Sequence, residues 1–344
     1  MGKRIIDFLF KNALEGNRKR IEVSFWGGEP LLEWDLIKEL IRYAEFKRKW
    51  FGVNVGFGGT TNGTLLTEEK IRYLADHRAF FMISLDGTPE SHNKFRIFHN
   101  GDGSQSTIMR NVEKALKIWP KLKVRMSPYA GGIHRFHEDI RYLARHGLYN
   151  IMFSPVYESG WTEDHWKIWE SECLKTIDFL AFMKSHGIRI DIEHFKSYRG
   201  SDKSHWPCGA GRFYVGFDID GSFYPCHRFC KFSDQRPWNE KPMILGHIDY
   251  GITSKGLRDQ FIHFYPDDCK KKECFERTPC HGGCFGVNYD MMGDIWKAPP
   301  QLCRYVEMQR RISKYYAQKI ENHDGAAEPK PCTCNFEFYC GPTA

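Results

Sequence analysis

The twelve cysteines of this chain are so unevenly placed that they divide it in two. None precedes Cys173, and eleven lie between Cys208 and Cys340. A chain folding around one evenly mixed core does not segregate its thiols in this way. The first half has to be organised by apolar packing, the second by something that uses sulfur. Residues 1–16 (MGKRIIDFLFKNALEG) read as an amphipathic helix, with neither the apolar core nor the small-residue cleavage site of a secretory signal. No apolar run approaches the roughly 18 residues of a membrane span. The expectation is a cytoplasmic protein, where thiols stay reduced and dense cysteine serves metal binding or catalysis rather than disulfides. The 344 residues leave room for one large α/β domain and a smaller one. With 41% hydrophobic and 27% charged residues, a packed core is expected and wholesale disorder is not. A net charge of +7 permits an acidic partner without calling for nucleic acid, so neither a nucleic-acid nor a membrane partner is expected.

In the first half, short apolar and β-branched runs at 21–26, 53–58, 80–85, 122–126 and 150–154 alternate with helical patterns at about 33–49, 66–77, 105–119, 134–146 and 163–185. Such alternation predicts a parallel sheet of five strands with helices packed outside. Residues 187–206 read as a bridge. From 207 to about 304 cysteine, glycine, proline and aromatic residues rise and long helical periodicity disappears, so ligands rather than a large apolar core are expected to organise this part. A helix pattern returns at 303–322, followed by a tail with Cys332, Cys334 and Cys340 that could form a small metal site, a self-substrate segment or a disordered end. The predicted domains are thus 1–186, a bridge at 187–206, a cysteine-rich domain at 207–306 and a helix with a tail at 307–344.

In parallel α/β folds ligands sit beyond the C-terminal ends of the strands, so the residues there carry the functional signal. Phe25-Trp26-Gly27-Gly28-Glu29-Pro30 follows the first strand. Its two glycines let backbone approach a ligand closely, and Glu29 offers a carboxylate to an ammonium group. A plain strand-to-helix turn explains the same residues about as well. Thr60-Thr61-Asn62-Gly63-Thr64 carries the Asn-Gly pair of a turn and reads as one. Ser84-Leu85-Asp86-Gly87 places two hydrogen-bonding side chains at alternate positions of a strand end, where both can face one mouth, although Asp-Gly also simply ends a strand. Arg125, on the next strand, either supplies a cation there or faces solvent at a strand edge.

Setting aside the tail and Cys173, which reads as a buried core thiol, eight cysteines remain: Cys208, Cys226, Cys230, Cys269, Cys274, Cys280, Cys284 and Cys303. Eight is two sets of four, the ligand count of two cubane clusters. Zinc ribbons favour paired C-x2-C spacings, and these spacings are longer and less paired. Structural zinc stays open as the rival.

Taken together, the strand-end motifs and the cysteines resemble the radical SAM superfamily, specifically members that carry a SPASM domain, among them anaerobic sulfatase-maturating and thioether-forming peptide maturases. The resemblance spans about residues 3–306. It implies a partial (β/α)6 barrel followed by an auxiliary-cluster domain. One spacing departs from the seven-cysteine SPASM pattern: Cys269-x4-Cys274, where two intervening residues are usual. By resemblance, Gly27, Gly28 and Glu29 hold the amino-acid end of S-adenosylmethionine (SAM), with Ser84, Asp86 and Arg125 as nearby contacts. Cys208, Cys226 and Cys284, with Cys230 as the fourth ligand, hold one auxiliary [4Fe–4S] cluster. Cys269, Cys274, Cys280 and Cys303 hold the second. The implied activity is modification of a peptide or protein by hydrogen abstraction, with a one-electron reductant such as flavodoxin or ferredoxin.

Two departures qualify this. The family's C-x3-C-x2-C triad, whose cluster cleaves SAM, has no counterpart before Cys173. The expectation is a truncated reading frame that lacks the first barrel strand and its cysteine loop, with a degenerate, non-catalytic iron–sulfur protein, an electron carrier or peptide-binding remnant, as the alternative. A third [4Fe–4S] cluster enters only if that segment is supplied. In sulfatase-maturating relatives an aspartate follows the cysteine matching Cys226, where this chain has His227. Tyr224-Pro225-Cys226-His227-Arg228-Phe229 looks more like maturases that crosslink peptides. His227 is the single candidate for a catalytic role, against the stronger expectation that it packs between elements.

Overall fold

The computed structural model describes residues 1–196, 208–232, 236–262 and 282–321. Helix α1 (Gly2–Glu15) leads into β1 (Arg20–Phe25), and β/α alternation follows: α2 (Trp34–Phe51), β2 (Asn54–Thr61), α3 (Glu68–Asp76), β3 (Ala79–Ser84), short α4 (Pro89–His92), α5 (Gln105–Ile118), β4 (Lys123–Met126), α6 (Phe136–Arg145), β5 (Asn150–Phe153), α7 (Glu163–Ser185) and β6 (Asp191–Ile192). These strands form one sheet in the order β1-β2-β3-β4-β5-β6, with parallel pairing at β1–β2, β3–β4, β4–β5 and β5–β6. The five expected strands lie within about three residues of their sequence positions, β2 running longest past its expected end. The sixth, β6, was not anticipated, because two residues within a segment read as a bridge carry no periodicity.

Helix ends follow local chemistry. Gly52 closes α2 in the left-handed conformation, φ 65°, donating its N–H to the Arg48 carbonyl. Thr162 opens α7 with a capping box shared with His165. The cysteine-rich half holds a small antiparallel sheet in the order β10-β9-β8-β7, where β7 is Gly216–Phe217, β8 Ser222–Tyr224, β9 Gly246–His247 and β10 Gly251–Ile252. Helices α8 (Lys255–Ile262), α9 (Phe285–Met292) and α10 (Pro300–Tyr316) follow, the last continued by a π-turn at Ala317–Glu321.

The contacts group into two compact units: Met1–Gly59 with Asp76–Phe80 and Gly200–Cys303, and Thr60–Ala75 with Phe81–Arg199 and Arg304–Ala344. In the first, the Phe8 ring of α1 packs on Phe217 and Phe223 of the small sheet at 5.9 and 5.5 Å. Its core gathers Ala210, Tyr224, Cys226, Phe229, Ile244, Phe261, Phe285 and Ile295. A buried Lys241 ammonium bridges Asp218 and Asp220 at 3.0 and 2.8 Å under the β7–β8 hairpin. The second unit is built on larger aromatic side chains. Trp161 stacks on Trp166 and Trp169 at 4.3 and 4.9 Å, and Trp169, fully buried, meets Phe136 edge-on. Cys173 lies fully buried on α7, as expected for a core thiol. Among the described residues no helix is long and apolar enough to cross a membrane.

Candidate functional site

In the first unit, β1 ends at Phe25 and the chain turns through Trp26-Gly27-Gly28. A methyl group built on Gly27 or Gly28 meets no atom within 4 Å, so the backbone here borders open space. Glu29 caps the following 3-10 turn: its Oε1 accepts the Leu31 N–H at 3.0 Å. Pro30 and Leu31 are buried and fix that side of the turn.

Cys208, Cys226 and Cys284 lie in the same unit, and apolar packing draws the segments of the last two together. Cys226 follows β8 and is itself part of the core. Phe229, one turn on, packs against Phe261 and Tyr289, and Phe261 packs against Phe285, which directly follows Cys284. Arg228 pairs with Asp290 of α9 at 3.3 Å, and the Asn288 amide donates to the Gly282 and Ile295 carbonyls at 3.0 Å each. Together these hold the loop bearing Cys284 beside the turn bearing Cys226. Burial pushes the Cys226 thiol up to about 12, and charge on Cys284 and Cys208 adds to the rise. Cys208, exposed on its outer side, is nonetheless enclosed enough that burial pushes it up to about 11, with Cys284 again contributing. Thiols such as Cys226 and Cys208, whose ionisation is opposed by burial and by neighbouring thiol charge, gain most from a cation that takes up that charge. The donor set therefore suits a soft metal group.

Cys230 sits somewhat differently. Burial pushes it up to about 11, the nearby charge on it is Asp218, and its Sγ lies 3.8 Å from the Cys226 carbonyl. Gly221, between Cys208 and Cys226, turns the β7–β8 hairpin at φ 95°, which explains why a glycine stands there. Cys303 is described and partly buried, whereas Cys269, Cys274, Cys280 and the tail cysteines lie outside the described residues. Among the described residues, no group of three or more His, Cys, Asp or Glu side chains is spaced to hold a single metal ion.

His227 packs, as the sequence favoured. Its ring stacks on that of Trp26 at 4.3 Å and 14°, and its Nδ1 lies 2.8 Å from the Tyr214 hydroxyl. Trp26 and Tyr214 stand too far from His227 in the chain for any spacing to mark them as its partners.

In the second unit, Ser84 is buried at the end of β3 and stands in register with Arg125 of β4. Because β4 lies between β3 and β5, Arg125 is not on a sheet edge, contrary to one of its two expectations. The Asp86 carboxylate takes Arg96 Nε at 2.5 Å, Arg96 Nη2 at 3.5 Å and the Ser127 N–H at 2.7 Å. Its own N–H donates to His92 Nδ1 at 3.2 Å, an imidazole held neutral because burial lowers its pKa to about 4. Gly87, at φ 117°, leaves no room for a side chain because Asp139 lies against it. The Thr60–Thr64 segment is a closed turn: Asn62 Oδ1 accepts the Thr64 N–H at 2.9 Å, and Asn111 donates to the Gly63 carbonyl at 2.9 Å.

Comparison with known proteins agrees with this architecture. Residues 3–147 match the Radical SAM superfamily. A cysteine-type anaerobic sulfatase-maturating enzyme of Clostridium novyi is 32% identical over 302 residues, which is 83% of this chain and 78% of that protein. The solved structure of native anSMEcpe with bound AdoMet and Cp18Cys peptide superposes with a TM-score of 0.70 at 19% identity, over 95% of this chain and 91% of that one. SuiB of Streptococcus suis bound to its precursor peptide SuiA gives a TM-score of 0.57 at 13% identity, over 88% of this chain and 69% of that one. These two likenesses speak to the fold, and the sequence relationship to the family. The chain belongs to the radical SAM superfamily, among its peptide- and protein-maturing enzymes.

Proposed function

We propose that this chain binds SAM at the Gly27-Gly28-Glu29 turn, carries two auxiliary [4Fe–4S] clusters and modifies a peptide or protein in the cytoplasm, drawing electrons from a small carrier such as flavodoxin or ferredoxin. The observation that carries the reading is the packing of the Cys226 turn against the loop bearing Cys284, two separate cysteine-bearing segments held in one apolar core. Cys208, Cys226 and Cys284 would hold the first auxiliary cluster, with Cys230 as fourth ligand. Cys269, Cys274, Cys280 and Cys303 would hold the second. The domain division at 186, 206 and 306 follows from this assignment.

When bound and reduced, SAM supplies a 5′-deoxyadenosyl radical that abstracts hydrogen from the substrate. The chain's own part is to bind and orient. The open glycine turn admits the amino-acid end of SAM, and the Glu29 carboxylate complements its ammonium. A sulfatase-maturating relative and structures of relatives with bound peptides support a peptide substrate. His227, where sulfatase-maturating relatives carry an aspartate, favours peptide crosslinking over oxidation to formylglycine.

Residues 1–172 contain no cysteine to hold a SAM-cleaving cluster, so the assay supplies those ligands. The chain is extended at its N-terminus by a family-type strand and C-x3-C-x2-C loop, reconstituted anaerobically, and mixed with SAM, reductant and cysteine-containing peptides. Formation of 5′-deoxyadenosine together with a peptide mass loss of two hydrogens is expected. No 5′-deoxyadenosine from a fully iron-loaded protein contradicts the proposal.

A further inference from the structure

Two adjacent glycines give a ligand room, but they do not hold themselves in place. Each loses more freedom on ordering than any other residue, so the geometry of such a turn has to be fixed from its flanks. On the C-terminal flank the fixing is plain: Glu29 caps the Leu31 N–H at 3.0 Å, and Pro30 and Leu31 are buried. On the N-terminal flank stands Trp26, 43% exposed. Its indole lies flat on the His227 imidazole, centroids 4.3 Å apart and planes 14° apart. His227 is itself secured on two sides. Its Nδ1 is 2.8 Å from the Tyr214 hydroxyl, and its backbone follows Cys226, a buried member of the core.

The stack buries only part of each ring, since both Trp26 and His227 stay partly open to solvent. Its contribution to global stability is correspondingly small. Its effect falls on the residue it immobilises, and that residue is covalently the next one before Gly27. A chain of contacts thus runs from the turn through Trp26 and His227 to Tyr214 and the backbone at Cys226.

We propose that Trp26 and His227, backed by Tyr214, are positioning residues for the amino-acid end of SAM. By holding the Trp26 ring they set the path of the Gly27–Gly28 backbone and the aim of the Glu29 carboxylate. The inference deepens the reading of residues 27–29 as the SAM turn and rests on it. It assigns to His227 a stacking role that needs no change in protonation.

The test compares two ligands that share a nucleoside and differ in the amino-acid end: SAM and 5′-methylthioadenosine. Binding to the parent chain is measured by calorimetry, alongside Trp26→Leu, His227→Ala, Tyr214→Phe and the conservative Trp26→Phe. Loss of one aromatic stacking contact predicts SAM affinity roughly tenfold weaker in Trp26→Leu and His227→Ala. Methylthioadenosine binding stays within about twofold and the unfolding temperature is unchanged. Trp26→Phe keeps a ring on the imidazole and restores most of the SAM affinity, and Tyr214→Phe falls between. Unchanged SAM affinity in His227→Ala, or equal weakening of both ligands, overturns the proposal. A parent chain that binds methylthioadenosine but not SAM overturns the reading of residues 27–29 itself, and the positioning role with it.

Discussion

Two strand-end turns of this molecule look alike in sequence and are opposites in structure. Gly27-Gly28-Glu29 and Asp86-Gly87 each join a strand end to a carboxylate and glycine. The first borders open space, with no atom within 4 Å of a methyl at either glycine. The second is sealed: three donors occupy the Asp86 carboxylate, and Asp139 walls in Gly87. A glycine can therefore stand at a strand end either to admit a ligand or to let protein close upon itself. Only the second use is bound up with the stability of the fold.

The contrast is open to attack by mutation. The largest effect is expected at Gly87→Ala, which combines a φ of 117° with a collision against Asp139. A loss of about 3 kcal/mol or more in chemical denaturation is predicted. Arg96→Ala leaves the Asp86 carboxylate, only 16% exposed, without its cation, and should cost about 1–3 kcal/mol by the same measurement.

Asp139 sharpens the comparison through pH. Burial raises its carboxyl to about 6, against hydrogen bonds from Thr88 that partly oppose the rise. The folded state therefore holds a proton that the unfolded chain releases near pH 4. Stability from this group is fully present below about pH 4 and declines as pH rises through about 6. The difference in unfolding temperature between parent and Asp139→Asn should shift in favour of the variant across that interval. A flat difference would show that the carboxyl is not held protonated. The smallest effect on stability belongs to the open turn. Gly27→Ala should leave the unfolding free energy unchanged or raise it by up to about 1 kcal/mol, because the loss of freedom falls on the unfolded chain. SAM binding should nevertheless weaken, since the added methyl occupies the ligand's space.

Where the sequence was informative, the physics was local. Runs such as 80–85 and 122–126 are β-branched or apolar and long enough to show a period, and β3 and β4 form there. The four strands of the small sheet are two or three residues long and lie among glycines and aspartates, where no period can develop. The glycine turn at residues 27–28 was legible as a motif, but its openness was not, since that depends on what fails to pack there. The sealing of Asp86 depends on Arg96 and Ser127, whose approach is set by helix α4 and the end of β4. The Trp26–His227 stack joins residues far apart in the chain and leaves no trace in any spacing. The sequence placed Cys208, Cys226 and Cys284 in one ligand set only through the family resemblance. Burial and neighbouring thiol charge on Cys226 and Cys208 then supply a physical reason why those thiols suit a soft metal.

The central claim is that this cysteine-rich region is an iron–sulfur framework serving a radical SAM maturase. Iron, acid-labile sulfide and zinc content of the anaerobically purified chain tests it most directly. Two cubane clusters predict about eight irons and eight sulfides per chain, falling to about four of each in Cys226→Ser. About two zinc ions per chain with no sulfide would contradict the account.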